Sequence, residues 1–487
     1  MTADKKLAAI VLAAGFGTRM RSALPKVLHE LAGHPMIVRV LETIGELGAE
    51  PTIVVVGHGG NQVEQVIADR FGGRGIRFAD QKQPRGTGDA ARCGIAMLSA
   101  DFAGEVLIVC GDMPRVSAAT LRRFVAEHRT SGAQLSLITA QVDDAARYGR
   151  VIRDRSGTVS AIVEAADATP AQLALREINT GVYLCAADTL RSAIGQLRPV
   201  NAQGEYYLTD VIAIANARAD RVCAWVAENP AEFGGINSRE ELAAMESGMR
   251  REINRRLMAA GVTMIDPATA YISEEAEIGR DCVIGPNVQI LGRCLIGNEV
   301  RIEGTAWLRE VVIGDRTHLK MGVRAEQCRI GEDCEIGPFA NLRAGTELVG
   351  HNRIGNFVET KQARIGRGSK ASHLSYLGDA DIGNDTNVGC GVITVNYDGF
   401  DKHRTEIGDR CMIGCDTQLV APVKVGNDVY VAAGATIVRE VPAGALCLSR
   451  HPQAVKPGWT EGWRKRHRKD AATDAEKSDR GHRGGNK

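Results

Sequence analysis

The chain has 487 residues, long enough for two or three domains with cores of their own. Its 60 Lys and Arg against 59 Asp and Glu leave a net charge of +1, which excludes a general electrostatic drive toward nucleic acid or membrane. The 12 cysteines form no Cys-x-x-Cys, and Cys93, Cys110, Cys185 and Cys223 stand singly, which argues against disulfides or structural zinc and for reduced thiols in the cytoplasm.

Lys5 and Lys6 before Leu7–Ala14 have the outline of a signal peptide, but the run ends in Gly15-Phe16-Gly17-Thr18-Arg19, a poor cleavage context. No apolar stretch approaches the roughly 20 residues that span a bilayer. Leu7–Leu12, Thr52–Val56, Glu105–Val109 and Gln134–Thr139 read instead as buried strands. Between them Met36–Leu47, Asn61–Asp69 and Ala90–Leu98 carry helical periodicity. Strand–helix alternation over this length predicts a parallel or mixed sheet between helices, with ligands beyond the carboxyl ends of the strands. Ser238–Ala260 then predicts a charged amphipathic helix suited to connecting domains, with Leu242, Met245, Met249, Ile253 and Leu257 on its apolar stripe.

From about residue 270 the period changes to six. Ile278, Ile284, Ile290, Ile296 and Ile302 recur with glycine at 279, 285 and 297; the register resumes at Ile330, Ile336, Leu342, Leu348 and Ile354, and again from Ile407 to Ile437. Hexads sustained over this length predict a parallel β-helix, three hexads to a coil. Each hexad would turn one aliphatic side chain inward and then bend at a glycine or asparagine of positive φ. Roughly ten coils stacked at about 4.8 Å would give a prism about 50 Å long. Asn396–Arg404 breaks the register and is expected to be an expelled functional loop. The tail Arg464–Lys487 has almost no apolar residues and is expected to lack fixed structure.

Two sets of residues carry chemistry. In the first half, Gly15-Phe16-Gly17-Thr18-Arg19-Met20 follows a strand and Pro25-Lys26 comes next. Glycines let backbone N–H groups approach phosphates, and Arg19 and Lys26 supply positive charge. Gln81 and Gly86-Thr87-Gly88 form a polar loop able to bond a base edge. Asp112 stands at a strand end as a magnesium-binding carboxylate would. Gly149, Glu164 and Glu177–Gly181, which includes Asn179, offer partners for sugar hydroxyls. In the second half Arg343, Lys361, His373, Tyr376 and Asn387 lie in polar interruptions of the hexads. A histidine is a suitable base for deprotonating a sugar ammonium, and Arg343 with Lys361 suits a sugar phosphate.

These motifs, through about residue 465, resemble the bacterial bifunctional UDP-N-acetylglucosamine pyrophosphorylase and glucosamine-1-phosphate N-acetyltransferase family. The resemblance implies a Rossmann-like α/β nucleotidyltransferase domain (1–237), a helical linker (238–262), a left-handed β-helix acetyltransferase domain of hexapeptide repeats (263–453) and an extension (454–487). It implies acetylation of glucosamine 1-phosphate by acetyl-CoA, then uridylyl transfer from UTP to N-acetylglucosamine 1-phosphate. By motif, Leu12, Ala13, Ala14, Gly15, Lys26, Gln81, Gly86, Thr87, Gly149, Glu164, Asn179 and Asn237 would hold the uridine nucleotide and sugar. Asp112 with Asn237 would bind Mg²⁺, and Arg19 and Lys26 would stabilise the triphosphate. His373 becomes the acetyl-transfer base with Glu359 as its carboxylate partner. Arg343, Lys361, Tyr376 and Asn387 bind glucosamine 1-phosphate, while Cys390, Asn396, Tyr397, Cys415, Ala433 and Arg450 surround acetyl-CoA. A cytoplasmic homotrimer is implied, acting on these small molecules rather than on nucleic acid or membrane.

Four positions depart from the family pattern: Pro84 for a base-contacting glutamine, Cys110 for tyrosine, Cys390 for alanine and Cys415 for serine. Two other readings stay open here, a pyrophosphorylase whose β-helix is regulatory and a single catalytic domain on a non-catalytic scaffold. The signature around His373 argues against the first, and the second predicts that a fragment from about residue 260 onward trimerises yet acetylates nothing.

Overall fold

The computed structural model describes residues 5–73, 75–145, 147–449 and 453–467. Arg450, and the tail beyond residue 467, therefore lie outside the described residues. The chain forms two compact units, one running to Arg280 and taking in Ile284–Cys294, the other Asp281–Val283 and the chain from Leu295 on.

The first unit is built on nine strands: β1 Leu7–Leu12, β2 Thr52–Val56, β3 Ile76–Asp80, β4 Glu105–Cys110, β5 Leu135–Gln141, β6 Arg150–Arg153, β7 Val159–Val163, β8 Glu177–Ala186 and β9 Val222–Val226. Their order is β9-β5-β8-β4-β1-β2-β3, with the hairpin β6–β7 reached through β8. β1, β2, β3 and β4 run parallel; β8 lies antiparallel between β4 and β5. Helices α1 Met36–Glu46, α2 Gly60–Phe71, α3 Thr87–Ala96, α4 Ala118–Ser131, α5 Ala187–Gln196 and α6 Asp210–Ala217 cover the sheet. Alternate residues of β1 serve the two sides: Ala8 and Ile10 pack in one core cluster, Ala9 and Val11 in the other. The four strands expected first and the three early helices all form, each within a few residues of its expected bounds.

Helix α7, Arg239–Ala259, is capped by Ser238, whose hydroxyl accepts a hydrogen bond from the Glu241 N–H at 3.1 Å. Its Leu242, Met245 and Met249 pack on Leu31, Met36 and Ile236. The helix is thus docked along the first unit by the apolar stripe its sequence shows.

The second unit is a left-handed parallel β-helix of hexapeptide repeats. Three inward columns define its faces. One runs Ile296, Ile313, Ile330, Leu348, Ile365, Ile382, Ile407, Val425. A second begins Ile302, Leu319, Ile336, Ile354, and a third Leu308, Ala325, Leu342, Thr360. Every named hexad position from Ile284 on is buried. The break after Ile302 has a simple cause: Arg301 pairs with His318, 17 residues later, so one hexad of that coil is a pentad. Other coils keep the full 18, as where Arg329 pairs with Glu347 and Met412 with Tyr430.

The corners follow the expectation in part. Asn287, Gly322, Gly345, Gly368 and Gly391 take positive φ as expected, but so do Asp281, Arg316, Asp333, Asp385, Arg410 and Asp428, while Gly297, Gly314 and Gly331, which follow an inward aliphatic residue, serve close approach instead. A Cβ on Gly314 would sit 2.6 Å from the Glu332 nitrogen, and one on Gly331 would strike the Val349 carbonyl. The coil-to-coil spacing leaves no room for a side chain there.

Beyond the last coil, residues 459–467 are helical, with Trp459 and Trp463 stacked at 6.4 Å. The expectation of an irregular tail therefore does not hold for residues 464–467.

Candidate active sites

In the first unit the candidate residues converge at the carboxyl ends of β1, β3 and β4. A cavity of about 290 Å³ there is lined by Leu12, Ala13, Ala14, Gly15, Lys26, Gln81, Gly86, Thr87 and Asp112, together with Phe16, Pro84, Cys110 and Glu205. Lys26 forms an ion pair with Asp112, and its Nζ donates to Asn237 Oδ1 at 3.1 Å. Three residues separated by up to 211 positions thus meet at one cationic atom. Asp112 and Asn237 are hard oxygen donors that converge on a single positive charge, the chemistry a magnesium site requires, with coordination left for phosphate oxygens and water. Burial pushes the neighbouring Cys110 thiol up to about 12, with Asp112 adding to the shift, so that group stays protonated.

Gly86 has φ +100°, and a Cβ on it would collide with Tyr206 and Glu205. The Gly88 N–H donates to the Tyr206 carbonyl at 2.7 Å, and Leu208 N–H to Thr87 Oγ1 at 3.1 Å. Residues 205–208 form the floor that holds this loop. They were not singled out from the sequence, although Gly204-Glu205-Tyr206-Tyr207-Leu208-Thr209 is an unusual polar and aromatic run.

Gly149, Glu164 and Asn179 form a second cluster. Asn179 N–H donates to the Gly149 carbonyl at 2.9 Å, and a Cβ on Gly149 would touch the Glu164 carboxylate at 3.4 Å. A bulge in β8 between Asn179 and Tyr183, with Gly181 at φ +84°, brings Gly181 within reach of Cys110 and links this cluster to the cavity. Thr209 donates to Glu164 at 3.2 Å. Burial raises the Glu164 pKa, opposed by that hydrogen bond and reinforced by Asp210 and Asp167. Arg19 is not brought in: it is exposed on the turn Thr18–Met20 and does not line the cavity. A larger groove of about 670 Å³ lies between α1, Pro114–Ser117 and α7, but its Arg39 and Arg115 are already tied to Glu274 and Glu252.

In the second unit the residues assigned to acetyl transfer fall into adjacent vertical columns. His373 pairs in register with Asn356, and the same register carries the column through Cys390, Cys415 and Ala433 on successive coils. All four residues from His373 to Ala433 are exposed. Arg343 and Lys361 are neighbours in the next part of the face, as are Tyr376 and Asn396 at 3.4 Å. Asn387 lies one strand position set away, beside Met412. The inserted loop makes Asp381 pair with Glu406, 25 residues on. Asn396 anchors it to Asp379 at 2.5 Å, and Asp398 accepts from the Phe400 and Asp401 N–H groups. Tyr397 bridges to Lys402, whose hydrogen bond and charge lower the Lys361 pKa.

The expected partnership of His373 with Glu359 is corrected. Glu359 accepts from Arg343 at 2.7 Å, while His373 Nδ1 bonds Asn356 Oδ1 at 3.1 Å. Glu359 sits three residues from Asn356 along its strand, about 10 Å away, and therefore faces Tyr376 instead. An amide oxygen only accepts, so Nδ1 carries the hydrogen and Nε2 is left as the basic nitrogen. Asn356 could have been found from the sequence once the coil length of 17 was known.

A nucleotide-sized cavity at the strand ends of an α/β unit, followed in the same chain by a hexapeptide solenoid with a histidine on its face, defines a two-centre transferase of activated sugars. Residues 9–222 match the MobA-like NTP transferase domain, 267–352 the GMPPB C-terminal domain and 404–439 the bacterial transferase hexapeptide. The chain is 47% identical to the bifunctional protein GlmU of Trichlorobacter lovleyi, over 93% of this chain and 97% of that one. It is 48% identical to the GlmU of Pelobacter propionicus, over 93% and 98%. The chain belongs to the bifunctional GlmU family. It is an enzyme with uridylyltransferase and acetyltransferase activities that together make UDP-N-acetylglucosamine. Among the described residues no helix is long and apolar enough to cross a membrane.

Proposed function

We propose that the cavity at Leu12–Gly15 takes UTP and N-acetylglucosamine 1-phosphate, and that the His373 face takes glucosamine 1-phosphate and acetyl-CoA. The convergence of Lys26, Asp112 and Asn237 at the cavity's phosphate end carries the first assignment. Gln81, Gly86 and Thr87 would hold the base, and Gly149, Glu164 and Asn179 the sugar. Mg²⁺, held by Asp112 and Asn237, would neutralise phosphate charge. Lys26 then orients the triphosphate while the sugar phosphate attacks the α-phosphorus in line, breaking the α–β phosphoanhydride bond and releasing pyrophosphate. Arg19, exposed on a turn, would have to swing toward the triphosphate to join it.

At the second centre, Arg343 and Lys361 would hold the sugar phosphate with Tyr376 and Asn387 on the sugar. His373 Nε2 takes a proton from the ammonium, and the free amine attacks the thioester carbonyl; the C–S bond then breaks and coenzyme A leaves as the thiol, taking up the proton that the new amide nitrogen loses. Asn396, Tyr397, Cys390, Cys415 and Ala433 lie where a cofactor laid along the coils would pass; Arg450 is assigned to it by motif alone. The domains are 1–237 for uridylyl transfer, 238–262 as linker and 263–453 for acetyl transfer, in a cytoplasmic homotrimer.

The test is one assay starting from glucosamine 1-phosphate, acetyl-CoA and UTP, with each step also run alone. His373→Ala should lose acetyl transfer by at least about a hundredfold and keep uridylyl transfer; Asp112→Ala should do the reverse. Loss of both activities from either folded variant would overturn the two-centre assignment.

A further inference from the structure

We infer that Asp89 sets the base preference of uridylyl transfer by fixing which end of the Gln81 carboxamide faces the cavity. The inference rests on the proposal that Gln81 contacts the base. Gln81 is buried, and its Nε2 donates to the Gly86 carbonyl at 3.1 Å and to Asp89 Oδ2 at 3.0 Å. Both partners are pure acceptors, so a flipped amide would set oxygen against two oxygens. Oε1 is therefore the end left over. Among the described residues no donor bonds it, and the side chain lines the cavity.

An acceptor at that point matches the N3–H of uracil and opposes cytosine, whose N3 is itself an acceptor. The neighbouring Pro84 brings no polar side chain, and Thr87 Oγ1, which accepts from the Leu208 N–H, keeps a rotatable hydroxyl that can donate or accept and so does not by itself distinguish uracil from cytosine. Gln81 is thus the lining side chain whose polarity at the base edge the fold fixes. Asp89 is itself held in place: it lies in the first turn of α3, its Oδ1 is 3.5 Å from Arg92, and the Arg92 guanidinium covers the Tyr206 ring at 4.5 Å. Asp89 is a positioning residue, reaching the nucleotide only through Gln81.

The experiment compares kcat/KM for UTP and CTP in the full chain, with acetyl transfer as the control for folding. Asp89→Ala frees the carboxamide to turn, and the UTP:CTP ratio should fall at least about tenfold. Asp89→Asn keeps an oxygen acceptor and should stay within about threefold of the wild type. Asp89→Val, which fills the space without an acceptor, gives the same reading should the alanine chain fail to fold. An unchanged ratio in the folded alanine or valine variant, beside a collapsed ratio in Gln81→Ala, overturns the role of Asp89 and leaves Gln81 on the base. So does an Asn variant as relaxed as the alanine one, since charge and not the acceptor would then be at work. If Gln81→Ala itself leaves the ratio unchanged, the base assignment fails and this inference with it.

Discussion

Glu164 is placed for a ligand at the expense of the fold. It is largely sequestered beside Gly149 and Asp210, with the Thr209 hydroxyl donating a hydrogen bond to it. Burial raises its pKa, so the native state holds a proton that the unfolded chain has already released. Stability is therefore lost as pH rises through the interval from the unfolded to the folded value, and the loss is complete above it. Glu164→Gln should melt higher than the wild type at neutral pH, with the difference vanishing in acid. The same variant should raise the KM for N-acetylglucosamine 1-phosphate by roughly tenfold, through loss of a charged acceptor. Thermal melts across pH, paired with uridylyl kinetics, check both; a lower melting temperature at neutral pH would mean that the carboxylate is a net stabiliser. Residues of this kind are only partly legible in a sequence. Gly15, Lys26, Gln81 and Asp112 stand in short motifs next to strands, where local chemistry identifies them. Thr209 and Tyr206 act by touching residues distant in the chain, Asp89 acts through a carboxamide orientation that no motif records, and the Glu359 assignment fails because a motif gives no strand register.

At the scale of elements the period of the chain told most. Alternating strands and helices announced the α/β unit, and a six-residue period the solenoid. What the period concealed was the length of a coil: an inward column tolerates a pentad, so Ile302 and Ile330 belong to one register through Leu308, Ile313, Leu319 and Ala325. The role of the hexad glycine was likewise hidden, since spacing cannot tell a turn from a close approach. Gly314→Ala should therefore destabilise the chain by roughly 1–3 kcal/mol, because the new methyl meets backbone that cannot move aside. Gly45→Ala is the contrast: it lies near the end of α1 with nothing within 4 Å, and should stabilise by up to about 1 kcal/mol. Melting curves of the two variants decide it, and a neutral Gly314→Ala would show that the coils can separate locally without loss.

The whole molecule raises a matter that one chain leaves open, namely what covers the acetyl-transfer face. Next to the His373 column runs an apolar one. Phe357 N–H donates to the Phe339 carbonyl at 3.1 Å, and the register that pairs Asn356 with His373 sets Leu374 beside Phe357. The two phenyl rings stack at 5.9 Å, yet Phe339 is 48% exposed and Phe357 and Leu374 are each 59% exposed. Three large apolar side chains in a row are an unusual use of surface, and burying one is worth about 1.5–3 kcal/mol. His373, one residue from Leu374, is also open to water in the single chain, where an imidazole base would gain little from its surroundings. Both facts support the proposed trimer, with a second copy of the chain lying over this face and closing the acetyl-transfer centre. Phe357→Asp should then lower the mass in sedimentation from three chains to one. Acetyl transfer should fall with it, while uridylyl transfer, whose cavity is lined by residues of one chain, should continue. A variant that stays trimeric places the interface elsewhere on the solenoid. One that becomes monomeric yet acetylates at the wild-type rate shows instead that each chain holds a complete second centre.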